Sequence, residues 1–312
     1  MTTNKPILSN KIGYRLRLAN GQGWHIMATD GVRSWVEKMA SIMELEPCDG
    51  NGEPKLIFTR IKKGKETRTE PTGGLDPKIR ENFPRTGWNA LKYPAIQIWS
   101  HLGVPDVICE IGHDQGHDLD ILRMLLALYP IFERAQKSGA LPLHAALLAR
   151  NGIGVLLVAS SDTGKSTCCR RLRSPWQPLC DDETLVVRDS QGRYLAHPLP
   201  TWSDYLWRGS KQTWHVEWHV PLSAIFFLEQ AEIGEVVAVG QGEAAASITQ
   251  STMQVHQRNW NNQDVEDMRT LRTKLFENAC ELARSTPAFK LRVGLKGRFW
   301  EEIEKVLFQT TN

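Results

Sequence analysis

Residues 155–172 read VLLVASSDTGKSTCCRRL, and this stretch decides the fold class. An apolar run ends in a turn, the turn ends in Gly-Lys-Ser-Thr, and a basic segment of helical character follows. A strand, a turn with this ending and a helix form a phosphate-binding loop, because consecutive backbone N–H groups and the positive end of the helix surround an anion. The stretch therefore predicts an α/β protein with a nucleotide site at the loop.

The residue types in the loop indicate which groups hold the nucleotide. In loops of this pattern the lysine neutralises the β- and γ-phosphates, and the hydroxyl that follows it binds the magnesium ion. Lys165 and Ser166 occupy these positions. ATP and Mg²⁺ are the expected cofactors. The residues expected to contact the nucleotide are Ser160, Ser161, Asp162, Thr163, Gly164, Lys165, Ser166 and Thr167.

Two residues depart from the usual glycines of such a loop. Ala159 stands at the first position, where a methyl group is tolerated if the backbone has an ordinary conformation. Asp162 replaces a glycine inside the loop, and aspartate visits the left-handed region more readily than most residues. Its negative charge repels a triphosphate unless a cation or a solvent-facing rotamer relieves the repulsion. Both departures put the affinity for nucleotide in question.

Carboxylates and a histidine near the loop are candidates for the chemistry. Asp181 and Asp182 lie in PLCDDETLVV, just before an apolar strand. One carboxylate can ligate Mg²⁺ and the other can accept the proton of an attacking hydroxyl. His144 precedes the strand that leads into the loop and can face the same site. The alternative is structural, with aspartates that end an element and an ordinary histidine at a strand end.

The stretch LHAALLARNGIGVLLVASSDTGKSTCCRRL, followed by PLCDDETLVV, resembles the core of HPr kinase/phosphorylase and its HPr-kinase-like relatives. These proteins share a nucleotide-binding core with phosphoenolpyruvate carboxykinase. A strand with a histidine, a hairpin, a phosphate loop and a strand with paired carboxylates follow in the same order, most clearly over residues 141–187. In size and overall pattern the chain is also similar to the C protein of the SynChlorMet cassette, a set associated with radical-type peptide modification.

The resemblance implies a P-loop-containing core of the HPr kinase and phosphoenolpyruvate carboxykinase type. It assigns Lys165 to the β- and γ-phosphates and Ser166 to Mg²⁺. Asp181 becomes the general base, Asp182 assists the metal, and His144 lies near the phosphates. The implied activity is an ATP- and Mg²⁺-dependent kinase acting on a Ser or Thr hydroxyl of a peptide or protein. Two alternatives stay open: a nucleotide-binding or leader-peptide adaptor without activity, and a kinase for a free amino acid.

Hydrophobic patterns indicate two domains. Residues 1–138 predict a small mixed α+β domain with strands at 11–18 and 54–62, a helix after Asp30, a hairpin over 95–112, a mostly irregular segment at 64–93, and a helix over 118–136 bent at Pro130. Residues 139–312 predict the nucleotide-binding domain, beginning with a hairpin whose turn is Asn151-Gly152. Further strands and two C-terminal helices follow.

Composition limits the partners. A net charge of +3 and a pI near 8.5 do not favour a nucleic-acid partner, and the basic run at 60–68 is typical of a solvated turn. We expect no membrane partner, because the sequence has no apolar stretch of membrane-spanning length. The six scattered cysteines favour reduced thiols and a cytoplasmic location. A nucleotide and a peptide or protein substrate are the expected partners.

Residues 197–219 contain four tryptophans, two of which flank Arg208 and Lys211. Such a segment suits a wall for a peptide or a platform for a base. The structural alternative, which we favour, is that the large rings cover one edge of the core. His215 and His219 do not form a convincing zinc site, because no third ligand is evident.

Overall fold

The computed structural model describes residues 13–49, 52–61, 70–71, 80–81, 83–93, 96–114, 116–256 and 265–308. The chain forms two compact units, the first comprising Met1–Leu16, Gly23–Ser41 and Leu45–Gln115, and the second Arg17–Gln22, Ile42–Glu44 and Gly116–Asn312. The helical segment that begins after Gly116 groups with the second unit. The domain division after residue 138 stays a prediction. Most of the basic run at 60–68 lies outside the described residues.

The first unit is built on a mixed sheet. Its strands are β1 (Gly13–Arg17), β2 (Gly23–Ala28), β3 (Pro47–Cys48), β4 (Lys55–Arg60), β5 (Trp88–Lys92), β6 (Ile96–His101) and β7 (Val104–Ile111). They are ordered β3-β1-β2-β4-β7-β6-β5, with β4 parallel to both β2 and β7. A short 3₁₀ turn (Asp30–Val32) and helix α1 (Arg33–Ile42) follow β2. Buried apolar side chains on β4, β5, β6 and β7 form one part of the core.

Most elements of this unit agree with the sequence patterns. The structure confirms β1, α1, β4 and the antiparallel hairpin of β6 and β7. Three strands were not expected: β2, the two-residue β3 and β5. β2 is almost wholly buried and lacks the alternation of a half-exposed strand. β5 lies inside the segment 64–93 that was expected to be irregular, and it pairs with β6.

The second unit holds a second mixed sheet. Its strands are β8 (Leu141–Leu143), β9 (Ala145–Arg150), β10 (Ile153–Val158), β11 (Gln177–Cys180), β12 (Thr184–Arg188), β13 (Tyr194–Pro198), β14 (Val220–Gln230), β15 (Glu235–Ala238) and β16 (Ala288–Val293). The order is β11-β9-β10-β14-β13-β12-β8, and β16 continues the sheet from β14 to β15. β14 runs parallel to β10 and β16. The protein is therefore a mixed α/β protein with two mixed sheets.

Helices of the second unit cover this sheet. They are α2 (His117–Ala127), α3 (Tyr129–Gln136), α4 (Lys165–Arg171), α5 (Trp202–Arg208), α6 (Gln241–His256), α7 (Val265–Ser285) and α8 (Phe299–Phe308). Apolar side chains from β9, β10, β14 and β16 pack with those from α4 and α8. Cys168 and Cys169 belong to this cluster, as small buried hydrophobes. Burial raises the pKa of the Cys168 thiol to about 11, so it is an inert packing group.

Two features of the helices differ from the expectation. The segment 118–136 is two helices separated at Leu128, and Pro130 lies in the first turn of α3. A proline there needs no N–H partner, so it starts a new helix instead of bending a continuous one. Neither α5 nor α6 was expected from the sequence. In the described part of the chain, none of the helices combines the length and apolarity needed to cross a membrane.

The hairpin of β9 and β10 places the loop that follows it. Asn151 and Gly152 have φ of 51° and 79°, the left-handed conformation that a tight two-residue turn requires. This confirms the predicted turn. The antiparallel register sets Ala145 opposite Val158, so the residue before β9 and the residue after β10 emerge side by side. These residues are His144 and Ala159.

Candidate functional site

The loop after β10 connects Val158 to the first residue of α4, Lys165. Asp162 has φ of 61° and Gly164 has φ of 115°, so both adopt left-handed conformations. Glu44, Asn151 and Asp162 are the non-glycine residues with positive φ in the described part of the chain. Ala159 is not among them. Alanine therefore occupies an ordinary conformation, and aspartate supplies the left-handed one that it tolerates better than most residues.

Lys165 is buried at the base of the loop, with 6% of its surface exposed. Its Nζ donates to the carbonyl oxygens of Ala159 at 2.9 Å and Ser160 at 3.3 Å. Burial lowers the pKa of the ammonium, and the charges of Asp182, Asp181 and Asp162 act in the opposite direction. The lysine thus ties the two ends of the loop together and brings a cation next to the carboxylates.

The paired aspartates occupy the short connection between β11 and β12. Asp181 accepts a hydrogen bond at Oδ1 from the hydroxyl of Thr201, with an oxygen to oxygen distance of 2.6 Å. Asp182 places Oδ1 3.2 Å from Nε2 of His144. The other ring nitrogen of His144 lies 2.7 Å from Oε1 of Gln254 on α6. The two carboxylates are therefore fixed by different neighbours.

Strand pairing explains why His144 meets the aspartates. His144 is the residue between β8 and β9, where the chain passes from one strand partner to another. β8 pairs with β12, which sets Leu143 opposite Thr184, two residues after Asp182. The hydroxyl of Thr184 also donates to the Ala145 carbonyl at 3.0 Å. The backbone on both sides of His144 is thus joined to the strand that follows the aspartates.

One cavity of about 700 Å³ collects most of the predicted site residues. Those on its wall are His144, Ser161, Asp162, Gly164, Lys165, Ser166, Thr167, Asp181 and Asp182. Of the predicted loop residues that the structure describes, Ser160 and Thr163 are outside the lining. Ser160 lines a smaller hollow of about 220 Å³ together with Ala159. The roles given to these residues remain predictions.

Several polar residues of the cavity wall were not among the predicted site residues, although Arg208 belongs to the segment considered as a peptide wall. They are Arg170, Glu183, Thr201, Ser203, Asp204, Arg208 and Gln254. Asp204 and Arg208 form an ion pair at 3.2 Å across one turn of α5. Burial raises the pKa of the Asp204 carboxyl, and the negative charges of Asp181 and Asp182 add to the effect. Gln254 was not indicated by the sequence because helix α6, which carries it, was not predicted.

The donor chemistry of the cavity suits a magnesium ion held jointly with phosphate oxygens. The Ser166 hydroxyl and the Asp182 carboxylate line the same cavity and are hard oxygen donors. Mg²⁺ prefers such donors, keeps several waters and usually binds through one or two carboxylates together with substrate phosphates. Within the described ranges, no group of three or more His, Cys, Asp or Glu side chains forms a protein-only metal site.

The tryptophan-rich segment divides into buried and exposed rings. Trp202 and Trp214 are each 2% exposed, and Tyr205 lies between them with ring centroids 6.4 and 6.1 Å away. For these two tryptophans the structure confirms the core-covering interpretation. Trp207 is 78% exposed and Trp218 is 42% exposed, so neither is explained by the core.

Comparison with known proteins identifies a matching family. The profile of the family described as "SynChlorMet cassette protein ScmC" matches residues 107–309, about two thirds of the chain. The matched part includes the hairpin, the loop, both aspartates and Gln254. No curated protein gives a significant match.

Proposed function

We propose that this chain, which belongs to the ScmC family of SynChlorMet cassette proteins, is an ATP- and Mg²⁺-dependent kinase. It transfers the γ-phosphoryl group to a Ser or Thr hydroxyl of a peptide or protein during maturation of a ribosomal peptide. One observation carries the proposal: the loop with Lys165 and Ser166 lines the same cavity as His144 and the two aspartates. The resemblance of residues 141–187 to the HPr kinase-like core supports it.

Different side chains bind the nucleotide, coordinate the metal and accept the proton. The loop amides and Lys165 bind the triphosphate, and Ser166 and Asp182 hold Mg²⁺, which when bound neutralises phosphate charge. Asp181 takes the proton of the acceptor hydroxyl. The hydroxyl oxygen then bonds to the γ-phosphorus, the bond between that phosphorus and the β–γ bridging oxygen breaks, and ADP leaves with the electron pair. His144 orients Asp182 through its Nε2.

A nucleotide-binding adaptor is the second candidate function. It is favoured by Asp162, whose exposed side chain lines the cavity. A carboxylate there repels a triphosphate, and weakened nucleotide binding without transfer suits a domain that only recruits a leader peptide. The adaptor and the kinase share the cavity and differ in turnover.

A matched pair of lysine substitutions tests the proposal. Lys165→Met keeps the length of the side chain and removes its charge, and Lys296→Met makes the same change at an exposed position. We expect Lys165→Met to weaken Mg-ATP binding by about 10- to 100-fold, since a hydrogen bond to a charged group contributes about 1.5–3 kcal/mol. Lys296→Met keeps the wild-type affinity. Calorimetric titration measures both, and circular dichroism verifies that the variants are folded.

Turnover then separates the two candidates. Incubation of the wild-type protein with γ-labelled ATP and Ser- or Thr-containing peptides should give labelled peptide that Lys165→Met does not produce. Binding that depends on Lys165 without transfer to any acceptor contradicts the kinase and supports the adaptor. Absence of Mg-ATP binding in the wild-type protein contradicts both.

A further inference from the structure

One face of α5 contributes residues both to the cavity wall and to the solvent-exposed surface. Successive residues of a helix are rotated by about 100°, which places Trp207 between Ser203 and Asp204 on the helix surface, with Arg208 next to Asp204. Ser203, Asp204 and Arg208 line the cavity. The opposite face is buried through Trp202 and Tyr205. We call the residues Ser203, Asp204, Trp207 and Arg208 the outer arc of α5.

The outer arc is held in a fixed position relative to the proposed base. Thr201 directly precedes α5, and its hydroxyl donates to Asp181 at 2.6 Å. Nε2 of His117 on α2 contacts the Tyr205 carbonyl at 2.9 Å, which anchors the middle of the helix. A group bound on the outer arc therefore has a defined distance to Asp181. This is a property that recognition of an acceptor requires.

Exposure and charge indicate what the outer arc binds. Trp207 is 78% exposed and lies outside the cavity wall, so a small molecule enclosed in the cavity does not reach it. A peptide that leaves the cavity along α5 would contact this ring. Arg208 is 63% exposed, and its ion pair with Asp204 uses Nη1, one of several guanidinium donors. The buried part of the wall combines Lys165 with aspartates, whereas Arg170 and Arg208 are the exposed cations of the lining.

We propose that the outer arc of α5 is the acceptor-recognition surface and that it binds an acidic peptide, with Trp207 packing on the chain and Arg208 pairing with a carboxylate next to the phosphorylated hydroxyl. The proposal rests on the proposed kinase function and names its substrate class. The planar guanidinium of Arg208 is able to donate two parallel hydrogen bonds to a carboxylate of the peptide. The aspartates behind the rim repel it from the deeper cavity.

Peptide binding without chemistry tests the surface separately from the kinase. Fluorescence anisotropy is measured with labelled Ser-centred peptides that carry Glu, Ala or Lys beside the serine, in the presence of Mg²⁺ and a non-hydrolysable ATP analogue. We expect the Glu peptide to bind at least about tenfold more tightly than the Lys peptide. Arg208→Glu removes or reverses this preference, and Trp207→Ala weakens all three peptides alike. Arg188→Glu, the same change on an exposed residue of β12, serves as the control and keeps the wild-type preference.

The outcomes distinguish the two proposals. Loss of the acidic preference in Arg208→Glu supports the surface even if no phosphoryl transfer occurs, in which case only the kinase fails. Binding of the Glu peptide that neither Arg208→Glu nor Trp207→Ala changes overturns the surface, whether or not transfer occurs. Transfer to free serine or threonine as efficient as transfer to the Glu peptide also overturns it, because a free amino acid does not need the rim.

Discussion

Asp162 shows how a loop can lose a glycine and keep its backbone shape. Its φ of 61° lies in the region where glycine is the ordinary residue, and left-handed geometry costs most other residues about 1–2 kcal/mol. The loop carbonyls of Asp162 and Thr163 lie within 3.5 and 3.2 Å of the Gln230 side-chain nitrogen, which supports this conformation. The disadvantage of aspartate at this position is electrostatic, because its carboxylate lines the cavity and repels the phosphates of a nucleotide.

Three substitutions at Asp162 separate charge from backbone shape. We expect Asp162→Gly and Asp162→Asn to tighten Mg-ATP binding about fivefold or more, because removal of a like charge about 4 Å away in a water-exposed site is worth about 1 kcal/mol. Asp162→Ala also removes the charge, but it lowers the free energy of unfolding by about 1 kcal/mol relative to Asp162→Gly. Calorimetry and urea unfolding measure the two effects. Equal affinity in all four proteins would contradict the electrostatic argument.

At the scale of elements, β10 depends on a glycine for its position in the sheet. A Cβ on Gly154 would lie 2.5 Å from Cγ2 of Val220 and 3.4 Å from both Cδ1 of Leu147 and the Pro221 carbonyl. The register between β10 and β14 shifts at this residue. Gly154 therefore allows the close approach of strands that carries β10 to the loop.

A pair of glycine substitutions tests this close approach. We expect Gly154→Ala to reduce the free energy of unfolding by about 1–3 kcal/mol, the usual cost of an extra methyl group in a packed core. Gly242→Ala in the first turn of α6 meets nothing within 4 Å and should be neutral or stabilising by up to about 1 kcal/mol. Urea unfolding curves of both variants provide the measurement. A neutral Gly154→Ala would show that β10 and β14 can separate without cost.

The sequence predicts most elements whose buried positions are large and apolar and recur with a regular period. α6 was missed because its buried face at Ala244, Ala245, Ile248, Ser251, Thr252, Val255 and His256 has helical spacing but mainly small or polar residues. β5 was missed because it follows a segment rich in Pro, Gly and charge, and only pairing with β6 makes it a strand. Tertiary partners decide both elements, and a single sequence does not reveal them.

The same reasoning applies to the candidate site. The loop, Asp181, Asp182 and His144 are recognisable because their local spacing has a chemical meaning, and the structure brings them to one cavity. Gln254 comes from a missed helix and is distant in sequence. Asp204 and Arg208 lie in the tryptophan-rich segment, for which a peptide wall was an alternative and core packing was the favoured interpretation. Side chains that reach the site from elements distant in the sequence have no characteristic spacing to the loop, so the sequence alone does not reveal them.

At the scale of the whole molecule, two buried histidines make stability depend on pH. Burial lowers the pKa of His197 and of His256 to about 4 in each case. Nε2 of His197 accepts a hydrogen bond from the Ala19 N–H at 3.0 Å, and Nδ1 lies 2.8 Å from the Val216 carbonyl. The fold therefore uses the neutral ring, with its proton on Nδ1.

The sign of the pH dependence follows from these shifts. Between pH 6.5 and about 4 the unfolded chain binds protons that the folded chain does not, so the free energy of unfolding falls as the pH falls through this window. Each histidine contributes up to about 3 kcal/mol, which is fully present above pH 6.5. We expect His197→Gln to be less stable at pH 7.5 and to lose less stability on acidification. Urea unfolding at pH 7.5 and 5 measures this, with exposed His215→Gln as control. An unchanged pH slope in His197→Gln would contradict the assignment.

The tight turn at Asn151 and Gly152 also sets when the site is assembled. A hairpin of this kind forms within about 1–10 μs, so the contact between His144 and the loop is sampled as soon as residues up to 166 are free to fold. The ribosome adds about 5–20 residues per second, and Gln254 is therefore synthesised roughly 4 to 18 seconds later. The local half of the site is thus available several seconds before the glutamine that holds the ring, and before strand β14 that pairs with β10, have been made.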